Sequence, residues 1–293
     1  METVTTETVL GMAQGDGSFS SSAEQDLRKM VCVSGVQPGA LAFVWKHVLG
    51  YLKFSMTKTE RDELDARHHQ EYFVYRQQCQ LITNEQLENW DEMHLTFEQI
   101  GKDVKRTDVD DDKFPYEANI ELLRAVLQTR AVYINIGYGQ GMNDLCSLLM
   151  NTTLDNCELF WLFSCPMSLV RPFYQRSKSV KDLFAKIGDT IPFVNPQMIE
   201  HFYTHEVDYL FCFKWVVLLF KPDFSIDFCL RLLDSTFASP ERRLFLFICN
   251  AIIMDHAEII DQEMKFDGMV AFLQKLHNKI PADITFSTDI INQ

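Results

Sequence analysis

The chain has 293 residues, 47% of them hydrophobic and 12% aromatic, which is typical of a globular protein with a substantial core. Its 41 acidic residues outnumber its 27 basic ones, for a formal net charge of −14. This balance argues against nucleic acid or anionic lipid as the main partner, because both require a positive surface.

The N-terminal residues are expected to lack fixed structure. Residues 1–22 are rich in Gly, Ser and Thr, contain GSFSSS and show no apolar periodicity, so we predict a disordered leader over residues 1–28. The same stretch has neither the basic nor the apolar region of a signal peptide. The longest apolar runs are shorter than the roughly 18–20 residues of a membrane span. We therefore expect a cytoplasmic protein.

Helical signals follow in chain order. PGALAFVWKHVLGYL carries apolar residues at helical spacing, namely Leu41, Val44, Trp45 and Val48. Capping boxes open the next two segments, formed by Thr57 with Glu60 and by Thr83 with Gln86. A further helix is predicted over EANIELLRAVLQTRAVY, in which four apolar residues lie on one face: Ile120, Leu123, Val126 and Leu127. AVYINI (131–136) is rich in β-formers but is expected to continue this helix.

The remainder of the chain consists of further apolar segments separated by prolines, where helix breakers belong. No run of alternating residues indicates strands. The sequence therefore predicts an all-α fold of roughly a dozen or more helices. Eight dispersed cysteines without CxxC spacing favour buried free thiols over zinc ligands or disulfides.

Three apparent ligand motifs fail on inspection. GYGQGM has Met142 where the dinucleotide fingerprint needs its third glycine. The acidic run from Asp108 has Lys113 where a calcium loop needs glycine, so a solvated loop is favoured. His201 and His205 could share a helical face, but no third ligand has a diagnostic spacing. We expect no metal site.

Two other segments fit a specific chemistry. IGKDVKRTD carries Ile100, Asp103 and Arg106 at steps of three, and Gln140 lies in a glycine cluster further on. An ordinary i,i+3 ion pair at a helix end also explains Asp103 and Arg106. However, an arginine and a glutamine presented from loops match GTP hydrolysis, which needs a cation against the developing phosphoryl charge and an amide that holds the attacking water.

Together these segments resemble the TBC domain of Rab GTPase-activating proteins, defined by the motifs IxxDxxR and YxQ. The first is present as Ile100, Asp103 and Arg106, and the second as Tyr138 and Gln140, followed by Gly141 and Met142. The resemblance covers roughly residues 30–285, and GVQPGALAFVWKHVLGYL is similar to the opening motif of the family. KDVKRTD and GYGQGMNDL are similar to the branch with vacuolar and late-endosomal Rab regulators.

The resemblance implies a TBC domain over residues 29–286 and a tail at 287–293. Its N-terminal lobe, at about 29–180, would carry both fingers, which are the side chains of Arg106 and Gln140 that reach into the GTPase, and its C-terminal lobe would lie at about 181–286. It further implies that Arg106 and Gln140 are catalytic, supplied in trans to a GTP-bound Rab. GTP and Mg²⁺ would belong to the Rab, so the chain would need no cofactor of its own.

The resemblance assigns supporting roles as well. Asp103 would orient Arg106, and Tyr138 would position the loop of Gln140. The protein would regulate vesicle traffic from endosomal or vacuolar membranes, which it would reach only through partners. The alternative is a catalytically inactive scaffold with the same fold that binds Rabs or other traffic proteins.

Two positions depart from the family pattern. Ala42 replaces an arginine of the opening motif, so that Trp45 and Val48 are expected to hold their helix by packing alone, and Leu233 replaces a tryptophan. A separate hypothesis is that an acidic cluster holds Arg106 in a resting pose, formed by Asp108, Asp110, Asp111 and Asp112.

Overall fold

The computed structural model describes residues 2–109, 116–134 and 138–167, and in the C-terminal part residues 212–221, 223–239 and 244–256 with a few shorter stretches (182, 185, 200, 202–204, 267–268, 271–272). Several sequence predictions fall on other residues: Gly137, the acids 110–112, His201, His205 and the tail 287–293 lie outside the described residues.

The described ranges contain 13 helices and no strand, which confirms the all-α prediction. The first nine α-helices are α1 (Thr6–Gly11), α2 (Ser21–Ser34), α3 (Leu41–Val48), α4 (Lys58–Leu81), α5 (Asn84–Glu88), α6 (Asp91–Val104), α7 (Tyr116–Ile134), α8 (Met142–Leu149) and α9 (Asn156–Ser164). A 3-10 turn, Pro38–Ala40, precedes α3. The C-terminal part adds α10 (Phe213–Val217), α11 (Ile226–Ala238) and α12 (Leu244–Asp255).

The capping signals in the sequence mark real helix starts. Thr57 and Glu60 form a reciprocal capping box at α4, and Thr83 and Gln86 form one at α5. Helix α5 is short: the Asn89 side chain donates to the Glu85 carbonyl at 2.8 Å, and Trp90 leaves helical geometry. The segment after Thr83 is therefore two helices, and α6 starts at Asp91.

The predicted apolar faces are buried as expected. Leu41, Val44, Trp45 and Val48 of α3 lie in the core, as do Ile120, Leu123, Val126 and Leu127 of α7. Helix α7 packs against α4, α6, α8 and α9, so it is the central helix of its unit. Its contacts with α6 and α8 bring together the two segments that carry the sequence motifs.

The prediction of a disordered leader over residues 1–28 is wrong for residues 2–28. Thr5 and Thr8 form a capping box at α1, and Ser20 caps α2 by accepting from the Ala23 N–H. Val4 and Val9 are buried. Three residues of the Ser- and Thr-rich composition, Thr5, Thr8 and Ser20, make helix-cap contacts, and Val4 and Val9 are in the core.

The backbone also attaches this N-terminal segment to the rest of the chain. Val4 N–H donates to the Gly35 carbonyl at 2.9 Å, and Gln37 N–H donates to the Val4 carbonyl at 2.9 Å. Phe19 N–H donates to the Phe54 carbonyl at 2.8 Å. These bonds explain why a segment with little apolar periodicity is ordered.

The chain divides into two compact units, Met1–Ser168 and Leu169–Gln293. The first unit contains both Arg106 and Gln140. It ends before the lobe boundary predicted at about residue 180, and it includes the N-terminal helices that the prediction had left out.

Candidate functional site

Helix α6 positions the first motif by its own periodicity. Ile100, Asp103 and Val104 point inward and are buried completely. The helix then ends in a turn in which the Arg106 N–H donates to the Asp103 carbonyl at 3.1 Å and the Thr107 N–H donates to the Val104 carbonyl at 3.2 Å. This turn directs the Arg106 side chain outward, where it is 58% exposed.

The carboxylate of Asp103 is the centre of the site. It is 0% exposed. One oxygen, Oδ1, accepts from Gln99 Nε2 at 2.9 Å and from the Arg106 guanidinium. The other, Oδ2, accepts from the Tyr138 hydroxyl at 3.0 Å. A buried carboxylate needs such donors to offset its lost hydration. The Asp103 carboxylate obtains them from residues of both motifs, Arg106 of the first and Tyr138 of the second.

The second motif forms a tight loop at the start of α8. The Met142 N–H donates to the Gly139 carbonyl at 3.1 Å, and Gly141 caps α8 with φ of 98°. This left-handed conformation strains residues that carry a Cβ, so Gly141 is required by its backbone. Gly139 does not have positive φ. Between them, Gln140 is exposed.

Tyr138 is a hydrogen-bond donor at neutral pH. Burial and the neighbouring Asp103 carboxylate raise the pKa of Tyr138 well above its usual range. The neutral hydroxyl lies 2.8 Å from Asn143 Oδ1 as well as 3.0 Å from Asp103 Oδ2. Its single proton is therefore shared between two acceptors on different segments.

The structure brings together the predicted residues Ile100, Asp103, Arg106, Tyr138 and Met142 around this loop and helix end. Ile100 and Met142 are buried. The Gly139 N–H donates to Met142 Sδ at 3.4 Å, which anchors the loop to the first turn of α8. The catalytic roles assigned to Arg106 and Gln140 stay predictions.

Two residues of the site were missed by sequence reasoning. Thr107 donates to the Asp103 carbonyl at 2.8 Å and accepts from Asn143 Nδ2 at 2.9 Å. Asn143 Oδ1 also accepts from the Gly141 N–H at 3.1 Å. Both residues directly follow the recognised motifs, in KDVKRTD and GYGQGMNDL, and this adjacency was the available signal.

The helices that carry the two departures from the family pattern are held by packing and, in the case of α3, also by an ion pair. Trp45 and Val48 are buried as expected, but α3 is not held by packing alone, because Lys46 Nζ also pairs with Glu158 Oε1 of α9 at 2.6 Å. Leu233 is buried within α11. Both positions lie outside the network around Asp103.

Of the acidic cluster in the resting-pose hypothesis, the structure describes Asp108. The Arg106 guanidinium pairs with Asp103 of the preceding helix, α6. Asp108 adopts a positive φ of 51° in the turn that follows. Asp110, Asp111 and Asp112 lie outside the described residues, so their contribution stays a hypothesis.

One group of potential metal ligands occurs among the described residues, away from the motifs. Side-chain atoms of His69, Asp155 and Cys157 lie within 4.8 Å of one another. Asp155 already caps α9 by accepting from the Glu158 N–H at 2.8 Å. Burial raises the pKa of Cys157 to about 12, which opposes the thiolate that a metal requires. The cap role of Asp155 and the raised pKa of Cys157 therefore do not favour a metal at this group.

Comparison with known proteins identifies the family. The model of the Rab-GTPase-TBC domain matches residues 42–260. The chain belongs to this family. All eight cysteines of this TBC protein are free, and no helix within the described ranges is long and apolar enough to cross a membrane.

Curated relatives are considerably longer than this TBC protein. Human TBC1 domain family member 16 is 28% identical over 257 residues, which cover 84% of this chain and 33% of the relative. GTPase-activating protein GYP7 of Yarrowia lipolytica is 26% identical over 288 residues, 88% of this chain and 39% of the relative. The chain thus spans between 33% and 39% of these two proteins.

Solved structures support the fold. The Ypt/Rab-GAP domain of Gyp1p aligns with a TM-score of 0.78 at 19% identity, covering 96% of this chain and 92% of that one. A Chlamydomonas flagellar RabGAP TBC domain aligns with a TM-score of 0.68 at 17% identity, covering 90% of this chain and 81% of that one. The predicted TBC-type helical fold is confirmed.

Proposed function

We propose that this protein accelerates GTP hydrolysis by a Rab-type small GTPase, to which it supplies Arg106 and Gln140 in trans. The observation that carries the proposal is the buried Asp103 carboxylate, which binds both the Arg106 guanidinium and the Tyr138 hydroxyl. It ties together the two segments that expose the side chains required for this chemistry. Relatives named as GTPase-activating proteins add support.

Arg106 would neutralise charge in the transition state. Its guanidinium is planar and permanently charged, and the side chain is largely exposed while Nη2 of the guanidinium pairs with the Asp103 carboxylate. Asp103 restricts the orientations of this side chain before the Rab arrives. Less conformational entropy is then lost when the arginine enters the nucleotide site.

Gln140 would orient the attacking water. Its amide both donates and accepts hydrogen bonds and does not titrate, so it can align a water without becoming charged. It projects from a loop whose backbone is held by Gly141 and by the first turn of α8. The Rab would supply GTP and Mg²⁺, and this chain would supply no cofactor.

The experiment is phosphate release from a panel of GTP-loaded Rabs, with wild type, Arg106→Ala and Gln140→Ala compared side by side. We expect acceleration of one or a few Rabs, lost in both variants. An arginine supplied in trans contributes about 10³–10⁵ in rate, so the effect is large. Binding of each Rab loaded with a non-hydrolysable GTP analogue is measured in parallel.

The alternative is a catalytically inactive scaffold on the same fold, and the same panel separates the two. Binding without acceleration of any Rab would contradict the proposal and favour the scaffold. Acceleration that survives both substitutions would contradict the assignment of the two residues.

The proposal also includes the place of action. The protein would act in the cytoplasm and at endosomal or vacuolar membranes, which it would reach through partners, and co-localisation with the responsive Rab tests this.

A further inference from the structure

The side-chain amide of Asn143 links the two motif segments, although Asn143 itself belongs to neither motif. It is only 5% exposed and lies in the first turn of α8. Its Oδ1 accepts from the Gly141 N–H at 3.1 Å and lies 2.8 Å from the Tyr138 hydroxyl. Its Nδ2 donates to Thr107 Oγ1 at 2.9 Å. Both ends of one amide are therefore engaged.

The orientation of this amide is determined by its neighbours. The Gly141 N–H can only donate, so the atom that faces it must be the oxygen. The nitrogen then faces Thr107, whose own proton goes to the Asp103 carbonyl at 2.8 Å. The Thr107 hydroxyl is thus free to accept from Asn143. If the Asn143 amide were flipped, its NH₂ group would face the Gly141 N–H, and two donors would oppose each other.

These bonds close a ring. It runs from the Asp103 side chain through Tyr138, Asn143 and Thr107 and back to the Asp103 backbone carbonyl. Thr107 is 2% exposed, so neither it nor Asn143 can contact a partner extensively. Buried polar networks in which each member is satisfied hold their members in one arrangement.

We propose that Asn143 and Thr107 are positioning residues that hold the Gln140 loop in register with the turn of Arg106. The Gly141 N–H follows Gln140 directly, so its bond to Asn143 fixes the peptide on which Gln140 is carried. Thr107 follows Arg106 directly and fixes the other segment. The inference rests on the proposed function for its effect on catalysis, but the bridge itself is testable without a GTPase.

The test uses three substitutions in the full chain. Thr107→Val removes the hydroxyl and keeps the shape, whereas Thr107→Ser keeps the hydroxyl. Thr129→Val is the matched control, because Thr129 is also fully buried and donates to a carbonyl four residues earlier, that of Ala125 at 2.6 Å. It lies in α7, outside the ring.

Hydrogen exchange of the Gly141 amide measures the bridge directly. Relative to wild type, we expect exchange to be about tenfold faster in Thr107→Val and nearly unchanged in Thr107→Ser and Thr129→Val, because loss of a buried hydrogen bond frees the Asn143 amide to move. Equal exchange in Thr107→Val and Thr129→Val would overturn the bridge. This result stands whether or not any Rab responds.

Single-turnover hydrolysis measures the consequence for the reaction. With a responsive Rab, Thr107→Val should lower kcat about tenfold with little change in KM, because misplacing a catalytic group affects the transition state rather than binding. Thr107→Ser and Thr129→Val should keep kcat within about twofold of wild type, because both leave the bond between Asn143 and residue 107 in place. An equal loss of kcat in Thr107→Val and Thr129→Val would overturn the positioning role, and absence of any acceleration by wild type would instead overturn the proposed function.

Discussion

The two segments that expose Arg106 and Gln140 are held in different ways. Arg106 lies at the end of a regular helix, and its side chain is anchored directly by the buried Asp103 carboxylate. Gln140 lies in a loop that is anchored through its backbone, by the left-handed Gly141 and by the bond from the Gly141 N–H to Asn143. Arg106 is thus held through its side chain, whereas Gln140 is held through the backbone of its loop.

This difference matches the two tasks that we propose for Arg106 and Gln140. A guanidinium on a long side chain has many rotamers, so a direct partner reduces its freedom. The glutamine side chain is shorter than that of arginine, so the position of its amide depends more on where the backbone holds its Cα. We therefore expect the Arg106 segment to be most sensitive to side-chain substitutions and the Gln140 segment to backbone substitutions.

The largest effect is expected from Arg106→Ala. Loss of the cation should lower kcat/KM for a responsive Rab by about 10³-fold or more. Arg106→Lys is the control: it retains the charge without the planar fork, so it should recover only a small part of the rate. Single-turnover phosphate release measures both. Full activity in the lysine variant would show that charge alone is sufficient at this position.

Gly141→Ala tests the backbone anchor. A Cβ in the left-handed conformation costs about 1–2 kcal/mol, and displacement of Gln140 should lower kcat about 10²-fold. Gly139→Ala is the matched control, since Gly139 does not have positive φ. We expect its free energy of unfolding, measured with urea, to change by less than about 0.5 kcal/mol. Equal destabilisation by the two substitutions would contradict the comparison.

Tyr138→Phe should affect both segments at once. It removes the hydroxyl that lies between Asp103 and Asn143 and leaves a buried carboxylate oxygen with one donor fewer. We expect a loss of about 1–2 kcal/mol in unfolding free energy and of about tenfold in kcat. Urea unfolding and single-turnover kinetics on the same preparation measure them. A normal kcat would show that the hydroxyl is not needed to align the fingers.

The smallest effect is expected from Lys102→Ala. Lys102 is an exposed cation of α6, paired at 3.3 Å with Glu98, one turn before Arg106. Such surface pairs contribute about 0–1 kcal/mol, so we expect unchanged stability and a kcat/KM within about twofold of wild type. A loss comparable to that of Arg106→Ala would mean that activity depends on the general charge of this helix rather than on one guanidinium.

Much of this arrangement was predictable from local sequence. The spacing of Ile100, Asp103 and Arg106 follows from helix periodicity, which also predicted the buried face of α7. The capping boxes at Thr57 and Thr83 depend only on neighbouring residues. All of these signals lie within one turn or one helix, which is why sequence alone reveals them.

The errors arose where distant contacts decide the structure. The N-terminal segment was predicted to be disordered because Ser and Thr are common both in disordered chains and at helix caps. Burial of Val4 and Val9 by later residues distinguishes the two cases. Asn143 and Thr107 were missed for the same reason, since their bond joins residues 36 positions apart. The glycine cluster was treated as one feature, whereas positive φ occurs at Gly141 and not at Gly139.

The most direct measurement is the single-turnover rate of a responsive Rab with Asp103→Asn. The amide has the shape of the carboxylate and can still accept from Gln99 and donate to Tyr138, so the fold should be retained while the charge that holds Arg106 is lost. We predict that kcat falls about 10²-fold and that affinity for the GTP-bound Rab changes little. A kcat within about twofold of wild type, in a variant of unchanged stability, would contradict the claim that one buried carboxylate positions both fingers.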